Sequence, residues 1–459
     1  MRAGLLAAML LGGCAIGPRY EAAPLPEVRG GAIADGTGEL RDDWWRLYED
    51  PVLDALIGQA LAENRDLRVA VARLRQARAG LLEARGNRLP QTSITGSAVE
   101  ARQAVPTPQG PVAFESEFYR LALDASYEID LYGRVTRLVQ AARADYEAEA
   151  AARDTVRISV AAETARAYAD ACSSAAQAAV ATRSLALQQD SFALTEKRVA
   201  AGRDAPLDLA RARAQLETTR ATLPGFVAAR TAALARLAVL TGRQPGEVDA
   251  RAAACVAPPR LEQPIPTGDG AALLQRRPDV RQAERALAAA TARIGVAKAD
   301  YFPRITLGGS ISGQGVTPDA ALSSGGFAFS IGPAISWSFP NIAATRARVI
   351  GAEAGSEAAL AAFEGTILRA LEETEAALAD YGAALERNAA LTRAEAESAR
   401  AAELVRQRYR AGAEGFLAVL DAERTLASAQ AQLAESEAAL STRQIAVFKA
   451  LGGGWQEAD

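Results

Sequence analysis

At 459 residues, 49% apolar and 23% charged, the chain can order most of its length, yet aromatic residues make up only 5% and much of the apolar count is alanine. A net charge of −4 gives no broad basic field for phosphates, so nucleic acid is not expected as a partner. Histidine is absent, which removes Ser-His-Asp and Cys-His catalysis and all histidine metal sites; no nucleotide or metal motif replaces them, so neither enzymatic activity nor a cofactor is expected.

Met1 and Arg2 precede an apolar run from Ala3 to Leu11, closed by Leu11-Gly12-Gly13-Cys14. One positive charge, a short apolar stretch and small residues make residues 1–13 a secretory signal, too short to span a bilayer. Leu11-Gly12-Gly13-Cys14 resembles the end of a bacterial lipoprotein signal, in which Cys14 becomes the lipidated first residue of the mature chain. Ala15, where an aspartate would retain the protein, resembles sorting to the outer membrane. Residues 14–50 read as a lipidated, extended arm. Export leaves Cys172 and Cys255 as a candidate disulfide in an oxidising compartment or as two small buried thiols.

The remainder is a duplication. A shift of 213 carries Leu89-Pro90-Gln91-Thr92 onto Phe302-Pro303-Arg304-Ile305, and a shift of 210 carries Glu163-Thr164 onto Glu373-Thr374, Arg198 onto Arg408, Gly202 onto Gly412 and Gly242 onto Gly452. The first structural repeat spans residues 51–242, a Pro-rich linker 243–268, the second repeat 269–452 and a tail 453–459. Each repeat is a helix–strand–strand–helix unit. In the first, a helix at 51–89 leads to strands at 91–102 and 117–131, then helices at 134–200 and 207–241. The second has a helix at 269–301, strands at 304–313 and 326–339, and helices at 343–410 and 416–450. Pro224 predicts a kink in the first return helix.

The second strand of each repeat alternates. Tyr119, Leu121, Leu123, Tyr127 and Ile129 stand against Arg120, Asp124, Ser126, Glu128 and Asp130, and Phe327, Phe329, Ile331, Ile335 and Trp337 against Ala328, Ser330, Gly332, Ala334 and Ser336. Alternation over about ten residues with aromatic ends is the pattern of a membrane strand with one face to lipid and one to water. Four strands cannot close around a lumen, so oligomerisation must complete the barrel. The proline-free helices are long enough to cross the periplasm. Leu209, Leu216, Leu223 and Leu237 in one half, and Leu426, Leu433, Leu440 and Val447 in the other, form heptad seams. Gly202 and Gly412 mark the turns at the far ends of the long helices. The fold class is thus an α+β membrane protein, with long coiled-coil helices forming an α-barrel and four membrane β-strands per chain.

The lipobox, Asp43-Trp44-Trp45, Tyr127-Glu128-Ile129-Asp130-Leu131-Tyr132-Gly133-Arg134, Arg276-Arg277-Pro278-Asp279-Val280-Arg281 and Arg408-Tyr409-Arg410-Ala411-Gly412 through Leu420-Asp421-Ala422 together resemble the TolC-like outer-membrane factors, in particular the OprM and NodT lipoprotein branch. The resemblance implies a homotrimer with a twelve-stranded barrel in the outer membrane. It also implies a periplasmic tunnel engaged by a membrane-fusion adaptor and an inner-membrane transporter, and passive efflux of drugs or metals without a cofactor. By the same resemblance Leu417, Asp421 and Asp208 line the periplasmic gate, with Ala418 standing where some relatives carry a further aspartate. Two other readings fit part of the pattern: the exit duct of a type I protein-secretion system, and a non-conducting coiled-coil lipoprotein.

Overall fold

The structure, a computed structural model, describes residues 15–22, 24–25, 42–108, 110–261, 265, 270–340 and 342–453. The expected signal, the lipidation candidate Cys14, about half of the arm, part of the linker and nearly all of the tail lie outside the described residues.

A 3₁₀ turn at Trp44–Tyr48 leads into α1 (Pro51–Glu63) and α2 (Arg65–Gly86). Asn64 breaks what the periodicity reads as one helix. Its extended backbone ends α1, and its side-chain oxygen caps α2 by accepting from the N–H groups of Asp66 and Leu67 at 2.9 and 3.1 Å. β1 (Gln91–Thr107) and β2 (Gly110–Ile129) follow, then α3 (Arg134–Ala200) and α4 (Pro206–Leu240). Pro224 lies inside α4, which runs unbroken through it.

The linker carries one short helix, α5 (Ala250–Ala253). In the second half α6 (Gly270–Arg276) and α7 (Pro278–Ala299) are parted at Pro278, whose ring suits a helix start and not a helix interior. Then come β3 (Arg304–Gly315), the short α8 (Pro318–Ala321), β4 (Phe327–Ser336), α9 (Ile342–Arg410) and α10 (Phe416–Ala450).

The strands form one antiparallel sheet in the order β1-β2-β3-β4. The first hairpin extends well past the expected strand ends. Its prolines and glycine suggest a loop, but Pro106 faces Pro111 one step from the closing pair Thr107–Gly110, where the missing N–H would point out of the ladder. Thr107 closes the turn by donating its hydroxyl to the Gly110 carbonyl at 2.6 Å.

The described residues divide into two compact units. One comprises 15–22, 73–150 and 282–364 and holds the sheet; the other comprises the described parts of 24–72, 151–281 and 365–453. The second unit holds the main core. Trp44 stacks on Phe448 at 4.8 Å between ring centroids, packed with Leu53, Leu56, Ile57, Tyr168, Leu237 and Ile445. Within that core Cys172 of α3 is bonded to Cys255, just beyond α5, so the linker is stitched to the helices. Of the heptad residues, Leu216, Leu237, Leu426 and Val447 are buried, and Leu209, Leu223, Leu433 and Leu440 are half-buried.

Candidate functional site

The register fixes two chemically distinct faces on the sheet. Ile94, Leu123, Ile311 and Phe329 lie in one row across the four strands, with Ile129, Ile305 and Ile335 in a second. These point to one side because side chains alternate with a period of two. The opposite side carries the row Ser93, Asp124, Ser310 and Ser330 and the row Ser97, Arg120 and Gln314. On the apolar face Ile94 is 76%, Phe329 74% and Ile331 77% exposed, so no described part of the chain covers them. A soluble protein does not leave such an expanse open to water. Among the described residues, the outer edges of β1 and β4 carry no partner strand.

Where β2 hands over to α3, the motif of residues 127–134 is explained atom by atom. Asp130 caps the long helix, its two carboxylate oxygens accepting from the N–H groups of Val135 and Thr136 at 2.9 and 2.7 Å. Arg134 holds Glu128 with two parallel bonds of 2.8 and 2.6 Å. Tyr132 stacks on Phe302 of the other repeat at 4.5 Å. Gly133 adopts φ +76°, and a Cβ there would lie 2.5 Å from Ala15, so only glycine allows the N-terminal segment to sit where it does. That seat is polar as well as tight. Ile16 donates its N–H to the Tyr132 carbonyl at 3.1 Å, and Arg137 donates to the carbonyls of Ile16 and Gly17.

The motif of residues 276–281 has a different task. Arg277 is buried and distributes its guanidinium among Asp279 at 2.7 Å, Glu373 at 2.8 Å and the Ala450 carbonyl at 2.9 Å, which ties the start of α7 to α9 and to the end of α10.

The two helix turns carry the sequence-derived gate candidates. Gly202 (φ +71°) and Gly412 (φ +76°) end α3 and α9 in the same way, with Arg203 and Ala413 donating back to the carbonyls of Arg198 and Arg408. Tyr409, Phe416, Val419, Leu420 and Ala212 form a small core that packs one hairpin of helices on the other. Leu417 is 60% exposed, and Asp421, one helical turn on, is exposed beside it. Asp208 is half-buried and pairs with Arg211 at 3.6 Å. Leu417 and Asp421 therefore share a free face of α10, while Asp208 is tied to its own helix.

Sequence reasoning missed the contact that joins the turns. Arg198 grips Asp204 at 2.9 and 3.1 Å, Tyr409 donates its hydroxyl to the same carboxylate at 2.7 Å, and the Arg198 guanidinium lies 4.3 Å from the centre of the Tyr409 ring. The Arg198 hydrogen bond holds Asp204 below the usual carboxylate range. Burial first, then the Asp204 carboxylate, push the Tyr409 hydroxyl up to about 12. A signal was available, because Arg408 and Glu414 repeat Arg198 and Asp204 at the shift of 210 and also pair, at 3.4 Å. Deeper along the helices Glu423, 3% exposed, accepts from Ser191 at 2.7 Å and Arg406 at 3.1 Å.

The sequence matches the outer membrane efflux protein family over residues 56–243 and 271–453. Outer membrane protein OprJ of Pseudomonas aeruginosa is 32% identical over 99% of this chain and 95% of its own. The cation efflux system protein CusC of Escherichia coli is 30% identical over 98% of both chains. Among solved structures, the outer-membrane channel OprN superposes with a TM-score of 0.91 at 38% identity, covering 97% of this chain and all of its own. The open-state MtrE channel of Neisseria gonorrhoeae superposes with a TM-score of 0.85 at 28% identity, over 96% and 99% of the two chains.

Proposed function

Because the chain belongs to the outer membrane efflux protein family, we infer that it is the outer-membrane channel of a tripartite efflux system, conducting small molecules passively to the exterior. One observation carries this reading: an open sheet with an uncovered apolar face and a continuous polar face, attached to helices of 67 and 69 residues. At 1.5 Å per residue such helices reach about 100 Å, a distance suited to crossing the periplasm. With both sheet edges bare, three chains placing β4 beside a neighbour's β1 would close a barrel of twelve strands, lipid outside and water within.

The lipid anchor at Cys14 is part of the proposal. Ala15 and Ile16 are held at the junction of β2 and α3, where sheet gives way to helix, so an acyl chain on the preceding residue would enter the bilayer beside the barrel. At the turns, Leu417 and Asp421 would narrow the tunnel, Asp208 would flank them, and the Arg198–Asp204–Tyr409 contact would hold the two hairpins together. The adaptor and the inner-membrane transporter would dock around these turns. Named cargo differs among the relatives, toluene for TtgC of Pseudomonas putida and cations for CusC, and this chain supplies the duct while the transporter supplies the choice.

The test is reconstitution of the mature lipoprotein in planar bilayers. Discrete channel openings, together with an oligomer in the outer-membrane fraction that heat converts to monomer, are expected. A protein that fractionates with that membrane but conducts nothing would overturn the channel reading in favour of a tether.

A further inference from the structure

The segment between β3 and β4 does not project away from the sheet. Gly313 pairs with Leu121 and Phe327 and so belongs to the apolar face, yet a Cβ built on it would lie 2.1 Å from the Ala321 carbonyl oxygen. At Gly315, on the same face, a Cβ would lie 2.6 Å from the Ala321 nitrogen. Two glycines therefore clear space for α8 to lie flat on the apolar side of β2 and β3. Thr317 fixes the start of α8 by accepting from the Ala320 N–H, and Ala321, its last residue, is 6% exposed.

Between this strap and the strands lies an open pocket of about 330 Å³ walled by Ile94, Leu121, Leu123, Ile311, Phe327 and Leu322. No charged residue lines it. It sits at the end of the β3–β4 hairpin away from residues 304 and 336, which join the helices, while β1 and β2 run on beyond it.

We propose that this pocket holds an acyl chain of an outer-leaflet membrane lipid, clamped between α8 and the barrel wall. The occupant follows from continuity. The pocket's strand residues belong to the same uncovered apolar face that meets hydrocarbon in the proposed barrel, so a chain already lying against the wall enters without crossing water. A second copy of the protein is a poorer occupant, because the strap that walls the pocket packs on β2 and β3, in the middle of the sheet, while the free edges through which copies would join are those of β1 and β4. Clamping a chain lets Leu322, 74% exposed in the isolated chain, bury its side chain against lipid.

The proposal rests on the sheet being the outer-membrane barrel, and its test separates the two. The full-length lipoprotein is reconstituted into vesicles of phosphatidylethanolamine and phosphatidylglycerol, assayed there for conductance, then extracted in mild detergent and weighed by native mass spectrometry. Retention of one phospholipid per chain is expected. Leu121→Trp, which fills the pocket, and Leu322→Ser, which removes its outer wall, should each abolish retention while conductance persists. Wild type that conducts but keeps no lipid, or both variants keeping as much as wild type, would overturn the pocket alone. Absence of conductance in every sample would overturn the barrel reading.

Discussion

At the scale of single residues, the contact joining the two turns is the most consequential. Tyr409 and Arg198 share one carboxylate, and a hydrogen bond to a charged group is worth about 1.5–3 kcal/mol. Tyr409→Phe removes the donor while keeping the ring under Arg198. We expect it to raise single-channel conductance or open probability, with Arg198→Ala giving a larger effect because it also uncouples Asp204. Unchanged conductance in both variants would show that the contact does not limit the opening. The pH dependence has a definite sign. Asp204 is depressed, so its share of the contact is complete above the ordinary carboxylate range and is lost as pH falls through its lowered value. Tyr409 is raised, so its share is complete below about 10, the ordinary tyrosine value, and is lost as pH climbs toward about 12. Conductance should therefore not vary with pH through this contact between those limits, and the acid response should vanish in Asp204→Asn.

The contact was hidden from sequence reading for a physical reason. Tyr409 and Asp204 are far apart in the chain, and the repeat places Val199 opposite Tyr409, so the duplication predicts the ion pair within each turn but not the bond between turns. Asp421 and Leu417 were legible as gate candidates only through the resemblance to the outer-membrane factors, since taken alone an acidic residue near a helix start reads as a solvated surface. They share a free face of α10, and as a gate they predict that replacing both with alanine raises single-channel conductance, whereas unchanged conductance would count against that role.

Among the elements, the strands divide the labour most sharply. Ile331 and Ser330 are neighbours in β4 facing opposite sides. Ile331→Arg on the lipid side should cost about 2–4 kcal/mol near the bilayer centre and lower the temperature at which the oligomer dissociates. Ser330→Arg should leave that temperature within a few degrees of wild type and alter conductance instead. Equal destabilisation by the two would contradict the assignment of faces. Period-two alternation made this division readable from the sequence, whereas the reach of the first hairpin was not, because Pro106, Gly110 and Pro111 carry the composition of a loop. The fork between α6 and α7 was similarly legible only in part. Pro278 marks the break, but the buried Arg277 that anchors it draws partners from α9 and α10, which no local pattern foretells.

Over the whole molecule, the duplication explains why one chain would contribute a third of the proposed trimeric barrel in both its parts. Two repeats give four strands and two long helical hairpins, and the bare edges of the sheet leave the count of chains to be set by closure. That count lies beyond the sequence, since the curvature that fixes it arises between copies. The two hairpins are also unequal. β1 and β2 run to a turn beyond Thr107, while β3 meets β2 only from Tyr119 inward. Three such overhangs would crown the mouth of the proposed trimer like merlons on a parapet, standing beyond the last pairing of β2 with β3. They are what an antibody or a bacteriophage would touch first, and a short epitope inserted after Pro108 should be stained on intact cells without loss of conductance.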